Sequence, residues 1–420
     1  MHETRLSIAR RFPALASRDF VLFLIGQFIS VIGTWMQNTA QPYLAYRISG
    51  RPLDLGLIGF ASTLPTLLLA LPAGVLVERW DKRRTVIIFQ SIMSIPAFGL
   101  AALTLTGHIQ IWHIGLLALI FGTASAVEIT ARQAMLIELA GREALPSAIA
   151  LQTTAFNVGR VIGPLAASWL LTSTGTEGSV FLVNGVSFLF VIGGLLIART
   201  RYKVPREIEA GKGLRMEFRE GLAYIRRNSL VASIIAMAAL VGFFGFPLSQ
   251  QIPALARDVL KAAADTEAMV AARTSHLYAA QGAGALTAAL LAAYLSSSRN
   301  KGLMLALGQV SLILPLIVLG TAPPLNISLI LLVFMGWGTV TQLVAMNTLI
   351  QVSVPNGLRG RVFSVYLWAL QGVAPFGSLL IGWLAQHWGV PFAALLGGAV
   401  SLVSVGVLHL ISPGVRSAQA

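Results

Sequence analysis

The chain alternates between long apolar segments and short polar connections. A transmembrane helix needs about 20 mainly apolar residues, whereas a transmembrane β-strand alternates over only about ten. The apolar segments are long and continuous, so the pattern predicts an all-α membrane protein. Twelve spans are predicted, at residues 20–46, 53–77, 85–106, 110–131, 147–172, 178–198, 230–256, 275–297, 302–320, 326–348, 361–386 and 391–412.

The longest polar stretch, residues 199–229, predicts a division into two six-helix bundles, at 1–198 and 230–420. Within it, apolar residues recur at helical spacing with arginines between them, which predicts an amphipathic helix at the membrane surface. A solvated linker is the alternative. The apolar positions of this helix are Leu214, Phe218, Leu222 and Ile225.

The two halves resemble each other weakly. At an offset of 214 residues, Gly163-Pro-Leu aligns with Gly377-Ser-Leu, and Trp169-Leu aligns with Trp383-Leu. At an offset of 220, Arg79 falls on Arg299, each after the second span of its half. Parallel repeats around a central site are one known solution to alternating access, so the bundles are predicted to be pseudo-symmetric.

Composition and charge agree with a membrane protein. The chain is 56% hydrophobic and 11% charged, far below the charged content of a soluble domain. Its net charge of +14 comes from short basic runs between spans, without the basic face of a nucleic-acid binder. If the N-terminus is inside, 24 Lys and Arg lie on the inner side and five outside, which predicts that both termini are cytoplasmic.

A charged loop joins the second and third predicted spans. A glycine precedes an acid–arginine pair by four residues, and a second acid and three cations follow. This pattern favours a structured cytoplasmic gate, with close helix approach at the glycine. An ordinary positively charged inner loop is the alternative. The predicted gate residues are Gly74, Glu78, Arg79, Asp81, Lys82, Arg83 and Arg84.

This loop resembles the signature loop of the major facilitator superfamily, with Glu78 where that family usually has Asp. Gly33-Thr-Trp-Met-Gln37, Ala131-Arg-Gln-Ala134 and Asn184-Gly-Val-Ser-Phe188 narrow the resemblance to the branch of the enterobactin exporter and macrolide-efflux proteins. The resemblance implies a transporter of the bacterial inner membrane that works by alternating access. It implies export of a siderophore or drug-like molecule by proton antiport, with the chain acting as a monomer. An importer or facilitator of a small metabolite remains the alternative.

The fifth predicted span carries Gly159, Gly163 and Pro164, which resemble the antiporter motif of that family. Two alanines, Ala166 and Ala167, stand near where the motif has paired glycines. The motif favours export over import. A packing motif common to many spans is the alternative.

Charges within the predicted spans are few, and such charges usually face a cavity or a partner. Glu128 is the one carboxylate that the pattern places clearly inside a span, and Arg160 the one base. We expect Glu128 to couple protons or to pair with Arg160 or Arg132. The alternative is that Glu128 lies near the cytoplasmic end and only braces Arg132.

Polar residues in the spans predict a substrate cavity. Those of the first span mostly step by three or four residues and so share one helical face. Hydrogen bonds between helices, without any ligand contact, are the alternative for each residue. Trp35, Trp337 and Trp368 lie deep enough in their spans to stack on a planar substrate. The cavity candidates are Gln27, Ser30, Thr34, Gln37, Asn38, Gln41, Asn157, Gln281, Gln342, Asn347 and Gln371.

The sequence predicts a transporter rather than an enzyme. It contains no cysteine, no metal-ligand spacing of histidines and no Walker loop for ATP. We therefore expect no catalytic residues, metal or cofactor. The expected partners are a small-molecule substrate, protons and the lipid bilayer.

Overall fold

The apolar segments form helices in the structure, a computed structural model that describes residues 12–198, 214–295, 300–412 and 414. After a short 3₁₀ turn at Pro13–Ala16, the first part contains α1 (Arg18–Ser49), α2 (Pro52–Arg79), α3 (Lys82–Leu105), α4 (Ile111–Ala140), α5 (Leu145–Thr174) and α6 (Glu177–Ile197). The second part contains α7 (Leu214–Arg227), α8 (Ser229–Leu240), α9 (Phe246–Gln250), α10 (Ile252–Ala254), α11 (Glu267–Tyr294), α12 (Lys301–Leu319), α13 (Leu325–Ser353), α14 (Asn356–Gly372) and α15 (Ala374–Ile411).

Ten candidate membrane spans occur among the described residues. The difference from the twelve predicted spans has two sources. Helix α5 is not among the ten, because Arg160 and several polar residues lower its mean hydropathy. The last two predicted spans fall within one long apolar segment, residues 357–411. Gly389 is not helical (φ 84°, ψ 159°) and interrupts α15 between those two predicted spans.

Polar residues at the helix ends fix several boundaries. The carboxylate of Asp81 accepts a 2.8 Å hydrogen bond from the Arg84 backbone N–H and caps α3. Thr176 and Asn228 cap α6 and α8 in the same way. Gly175 ends α5 with φ 71°, a left-handed conformation that glycine adopts without strain. Such caps satisfy backbone groups that a helix end leaves unpaired.

The seventh predicted span, 230–256, is longer and less regular than expected. It runs from Ser229 to Val259 and includes two π-helical turns, at Val241–Gly245 and Leu255–Val259. Pro247 and Pro253 lie between these turns. Proline has no N–H to donate to the preceding turn, so neighbouring turns readjust their hydrogen bonds.

The predicted span 361–386 is also divided. Helix α14 ends at Gly372 and α15 begins at Ala374. Pro375 lies in the first turn of α15, where its missing N–H leaves no hydrogen bond unmade. The break therefore has a local cause in the sequence.

The described residues form two units. The first contains residues 12–48 and 64–198. Its apolar interior includes Phe20, Phe23, Met135 and Leu195, all of which are almost fully buried. A smaller cluster brings Met93, Ala97, Ala124 and Phe188 together.

The second unit contains residues 49–63 together with 214–412. Residues 52–63 are the beginning of α2, so the unit boundary lies inside this helix, and the predicted boundary at residue 198 stays a prediction. Gly56 of α2 packs against α15, where an added Cβ would lie 2.5 Å from the Ser378 carbonyl oxygen. Helix α13 packs closely on both α11 and α12, through Gly336 and Gly338.

The linker helix α7 belongs to the second unit and packs against α14. Ile225 is buried there, and the Tyr224 hydroxyl donates a 3.2 Å hydrogen bond to the Ser353 carbonyl oxygen. Glu220 pairs with Arg361. The predicted amphipathic helix is therefore present, and the protein itself covers part of its apolar face. Phe218 and the beginning of the helix have side chains outside the described set.

Large apolar side chains cover much of the outer surface. Examples are Ile25, Ile95, Leu196, Leu314 and Val403, each more than half exposed. A soluble monomer rarely exposes so much contiguous apolar surface. The surface is suited to lipid, and the helices satisfy their backbone hydrogen bonds internally, as a membrane requires.

Candidate functional site

The charged loop between α2 and α3 is held by several specific contacts within the first unit. Asp81 caps α3, as described above, and Lys82 forms a 3.1 Å ion pair with Glu138 near the end of α4. Arg84, by contrast, has an exposed side chain and contributes its backbone N–H to the Asp81 cap. The loop is thus structured.

Arg83 connects this loop to α6. Its Nε donates to the Leu195 carbonyl oxygen at 2.7 Å, and its Nη2 donates to that of Leu196 at 3.0 Å. Both carbonyls lie in the last turn of α6, where no helical N–H remains to pair with them. A cation at this end also interacts favourably with the helix dipole. Arg83 therefore acts as a side-chain cap for α6.

Among the described residues, no close helix approach is observed at Gly74. A Cβ added to Gly74 would meet no described atom within 4 Å. A glycine permits close packing without requiring it, so the role of Gly74 in the predicted gate stays a prediction. The side chain of Glu78 lies outside the described set, and Arg79 is exposed.

Glu128 lies inside the first unit and is only 3% exposed. Its Oε1 accepts hydrogen bonds from Gln90 Nε2 at 2.8 Å and from Arg132 Nε at 3.0 Å. Of the two cations predicted to pair with it, the structure uses Arg132, one helical turn further along α4. Glu128 is therefore a buried carboxylate whose charge is paired with Arg132 on α4 and which is hydrogen-bonded to Gln90 on α3.

Arg160 lies elsewhere, in the middle of α5. Its guanidinium carbon is 5.3 Å from the ring centroid of Trp35 on α1, a cation–π contact. The same ring makes an edge contact with Phe156, at 5.5 Å between centroids. The predicted alternative of a Glu128–Arg160 pair is therefore wrong for this structure.

Gly159 and Gly163 bring α5 against α1. A Cβ on Gly159 would lie 2.6 Å from Val31 Cγ1, and one on Gly163 would overlap the Cβ of Trp35. Pro164 is buried beside them. The three residues form a close packing surface between two helices, which is the contact that small residues permit.

The polar face of the first span points partly into the first unit. Gln37 is 3% exposed, accepts a 2.7 Å hydrogen bond from Asn184 Nδ2 and donates one of 3.1 Å to Gln41 Oε1. Gln27 and Ser30 are also buried, whereas Asn38 is exposed. Gln37 therefore makes the hydrogen bond between helices that was the alternative to ligand contact, whereas Gln41 is bonded within α1.

The remaining cavity candidates are dispersed. Asn157 is buried and donates to the Thr153 carbonyl oxygen, within its own helix. In the second unit, Gln281 donates a 2.8 Å hydrogen bond to Ser249 Oγ, and Asn347 accepts one from Gln351. Gln342 is buried, and Gln371 is exposed. Thr34 is half-buried on α1.

The whole sequence decides the family. Residues 9–419 match the family model described as transmembrane secretion effector, within the major facilitator superfamily. The chain belongs to this family. The predicted resemblance to the enterobactin-exporter branch is confirmed at the level of sequence similarity.

Relatives of this chain include the enterobactin exporter EntS of Escherichia coli O1:K1 / APEC. The two are 25% identical over 409 residues, which cover 97% of this chain and 93% of that protein. The enterobactin exporter EntS of Shigella boydii serotype 18 is 26% identical over the same length and coverage.

Solved structures show a similar fold. The nucleoside transporter NupG has a TM-score of 0.70 at 13% identity, covering 94% of this chain and 99% of that one. A bacterial homolog of the human lysosomal transporter Spinster, inward-facing and unoccupied, has a TM-score of 0.65 at 16% identity, covering 95% of each chain. The chain is thus a multi-pass membrane transporter of a small molecule, and its family and structural neighbours are transporters, not enzymes.

Within each unit, sequence reasoning missed several residues that contact the predicted site residues. Gln90 and Glu138 come from helices whose contacts depend on the tertiary fold, and no local spacing indicates them. In the second unit, Gln281 donates to the Ser249 hydroxyl, and the Tyr278 hydroxyl donates to the Ser249 carbonyl oxygen at 3.0 Å. The two prolines near Ser249 were the available signal for an irregular helix in this region.

Proposed function

We propose that this secretion effector is a secondary exporter of a small organic molecule, a siderophore or drug-like compound, driven by proton antiport. The observation that carries the proposal is the buried Glu128 with its two hydrogen-bond donors, Gln90 and Arg132. A carboxylate in a span is costly and is usually retained for ion pathways or proton relays. Protonation of Glu128 would weaken its pairing with Arg132 and so connect proton binding to helix packing.

The direction of transport is supported by two further features. The first is the similarity to enterobactin exporters over 97% of the chain. The second is the packing of Gly159 and Gly163 on α1, at the position of the antiporter-like motif. An importer or facilitator with the same fold is the competing proposal, and the fold shared with a nucleoside transporter favours it.

We further propose twelve membrane-crossing helices in two pseudo-symmetric bundles that alternate access to a central site. In this arrangement the chain lies in the bacterial inner membrane with both termini in the cytoplasm and works as a monomer. The uneven distribution of Lys and Arg supports the orientation. The division of the long apolar segment 357–411 at Gly389 supports two crossings there.

Everted membrane vesicles test the function directly. We expect vesicles with the protein to accumulate a siderophore or drug tracer when respiration acidifies their interior, and a protonophore to abolish this accumulation. Glu128→Gln should remove the gradient-driven accumulation while substrate counterflow persists. Accumulation only in right-side-out vesicles would favour the importer, and unchanged gradient-driven transport by Glu128→Gln would remove the coupling role.

A further inference from the structure

Arg160 is a cation in the middle of a membrane helix without a carboxylate partner among the described residues. It lies 15 residues from the start of α5 and 14 from its end, at Leu145 and Thr174. The carboxylate that sequence reasoning offered it, Glu128, is used by Arg132. The contact that the structure gives Arg160 is the face of Trp35, 5.3 Å from the guanidinium carbon.

The contact with Trp35 stabilises Arg160 by less than the free energy that placing its charge in the membrane costs. A cation–π contact contributes less free energy than the transfer of an arginine to the bilayer centre costs. Most of Arg160 is buried by protein, and a minor part of the residue stays exposed to a non-protein environment. An arginine at this depth is expected to face water or a bound anion rather than hydrocarbon.

Packing of α5 does not explain the charge either. The repeat that relates the two halves places Ala374 at the position equivalent to Arg160, since 160 plus 214 is 374. Ala374 is 5% exposed, and α15 packs closely on the seventh span through Gly377. The second half makes the corresponding helix contact without a cation. The charge is therefore specific to the first half.

An aromatic surface lies beside the charge. The Trp35 ring meets Phe156 edge to face, and Phe156 is 48% exposed. A guanidinium binds a carboxylate through two parallel hydrogen bonds, and an exposed aromatic ring stacks on another ring. Arg160 and Phe156 are four residues apart on one helix and so lie on the same face.

We propose that Arg160, Trp35 and Phe156 bind a planar aromatic anion, with the carboxylate of the substrate at Arg160 and its ring against Phe156. The inference rests on the proposed exporter function and narrows its substrate class. In this site Trp35 orients the guanidinium, and Phe156 supplies the apolar contact. A neutral aromatic compound of the same shape would keep the ring contact and lose the pairing with Arg160.

The test compares naphthalene-2-carboxylate with naphthalene-2-carboxamide, two probes of equal shape that differ in charge. Binding to the purified full-length protein in detergent is measured by calorimetry. We expect the wild type to bind the carboxylate at least tenfold more tightly than the amide. Arg160→Gln should remove this preference without changing amide affinity, and Arg160→Lys should retain part of it.

Two variants serve as controls. Arg142→Gln removes the same charge from an exposed position after α4 and should leave the carboxylate preference intact. Phe156→Ala should lower the binding affinity for both probes by a similar factor. The gel-filtration profile and thermal midpoint of each variant establish that it is folded. If Arg160→Gln fails to fold, Arg160→Lys decides, because an unchanged preference in that variant contradicts bidentate pairing.

Other outcomes separate this inference from the proposed function. A wild type that binds both probes equally, or neither, would overturn the inference. An equal loss of affinity for both probes in Arg160→Gln would also overturn it, because Arg160 would then only hold α1 and α5 together. Vesicle export of a neutral drug tracer that Arg160→Gln does not impair would leave the exporter function standing. Absence of export of every tracer by the wild type would count against the exporter, while the binding comparison would still decide the site.

Discussion

Gly163 on α5 and Gly377 on α15, 214 positions apart, make the same kind of close helix contact in the two halves. A Cβ on Gly163 would lie 3.1 Å from the Ile32 carbonyl oxygen on α1, and one on Gly377 would lie 2.8 Å from the Phe243 carbonyl carbon in the seventh span. The weak sequence repeat thus has a structural counterpart within each unit. It indicates which glycines the fold depends on.

The first prediction concerns these glycines. Gly163→Ala and Gly377→Ala should each lower the free energy of unfolding by about 1–3 kcal/mol, because the added methyl group forces the helices apart. Unfolding by sodium dodecyl sulfate in mixed micelles measures the change. Gly115→Ala is the control, since a Cβ there meets no described atom within 4 Å. Equal stability of all three variants would contradict the packing argument.

A second prediction separates two neighbouring arginines. Arg83→Ala should destabilise the protein by about 1 kcal/mol, because the two carbonyls at the end of α6 lose their charged donor. Arg84→Ala should have little effect, since its side chain is exposed and the cap on α3 uses its backbone N–H. Thermal unfolding in detergent compares the two variants. A larger loss for Arg84→Ala than for Arg83→Ala would show that the capping role is misassigned.

A third prediction concerns the buried pair of Glu128 and Arg132. Each single change to Gln leaves the other charge buried without its partner, so each should destabilise the protein. The double variant should be less destabilised than the sum of the singles, with a coupling energy of about 0.5–3 kcal/mol. Arg142→Gln combined with Glu128→Gln is the matched control and should be additive. Additivity of the Glu128 and Arg132 changes would mean that the pair does not stabilise the fold.

Local spacing explains how much of the site could be predicted. Glu128 and Arg132 are four residues apart, so a helix brings them together whatever the tertiary fold. Lys82 and Glu138 are 56 positions apart (138 minus 82), and their pairing depends on how α3 and α4 pack. The carbonyl acceptors of Arg83 cannot be recognised at all, because every residue has a carbonyl and only the end of α6 leaves it unpaired.

The fold could be predicted in outline for a similar reason. Apolar length indicates a membrane helix directly, and each predicted span coincides with helical residues in the structure. Mean hydropathy does not report a break in backbone conformation, such as the non-helical Gly389. Nor does it report the two π-helical turns of the seventh span, which depend on hydrogen bonding around Pro247 and Pro253. The sequence therefore predicts where membrane helices exist better than it predicts how many times the chain crosses the membrane.

The last prediction concerns pH and the connection between the seventh span and α11. Asp265 accepts a 2.7 Å hydrogen bond from the Ala262 backbone N–H and pairs with Arg273. The pKa of the Asp265 carboxyl is lowered below its ordinary value of 3.8. The largest cause is the hydrogen bond from the Ala262 backbone, and the next is the hydrogen bond from Arg273. A lowered pKa means that the stabilisation is complete above the ordinary pKa and is lost as the pH falls through the folded value. The loop should therefore stay ordered at neutral pH and loosen below about pH 4.

A spin label at position 263 measures this loosening. The chain has no cysteine, so Ala263→Cys on this exposed loop gives a single labelling site. We expect the label to become more mobile between pH 6 and pH 3, and to be equally mobile at both pH values in a variant that also carries Asp265→Asn. A label at the exposed Thr287 of α11 should not change, since it lies 14 residues beyond Arg273 on that helix. A pH-independent spectrum at position 263 with Asp265 intact would contradict the prediction, because the carboxylate would then not hold the loop.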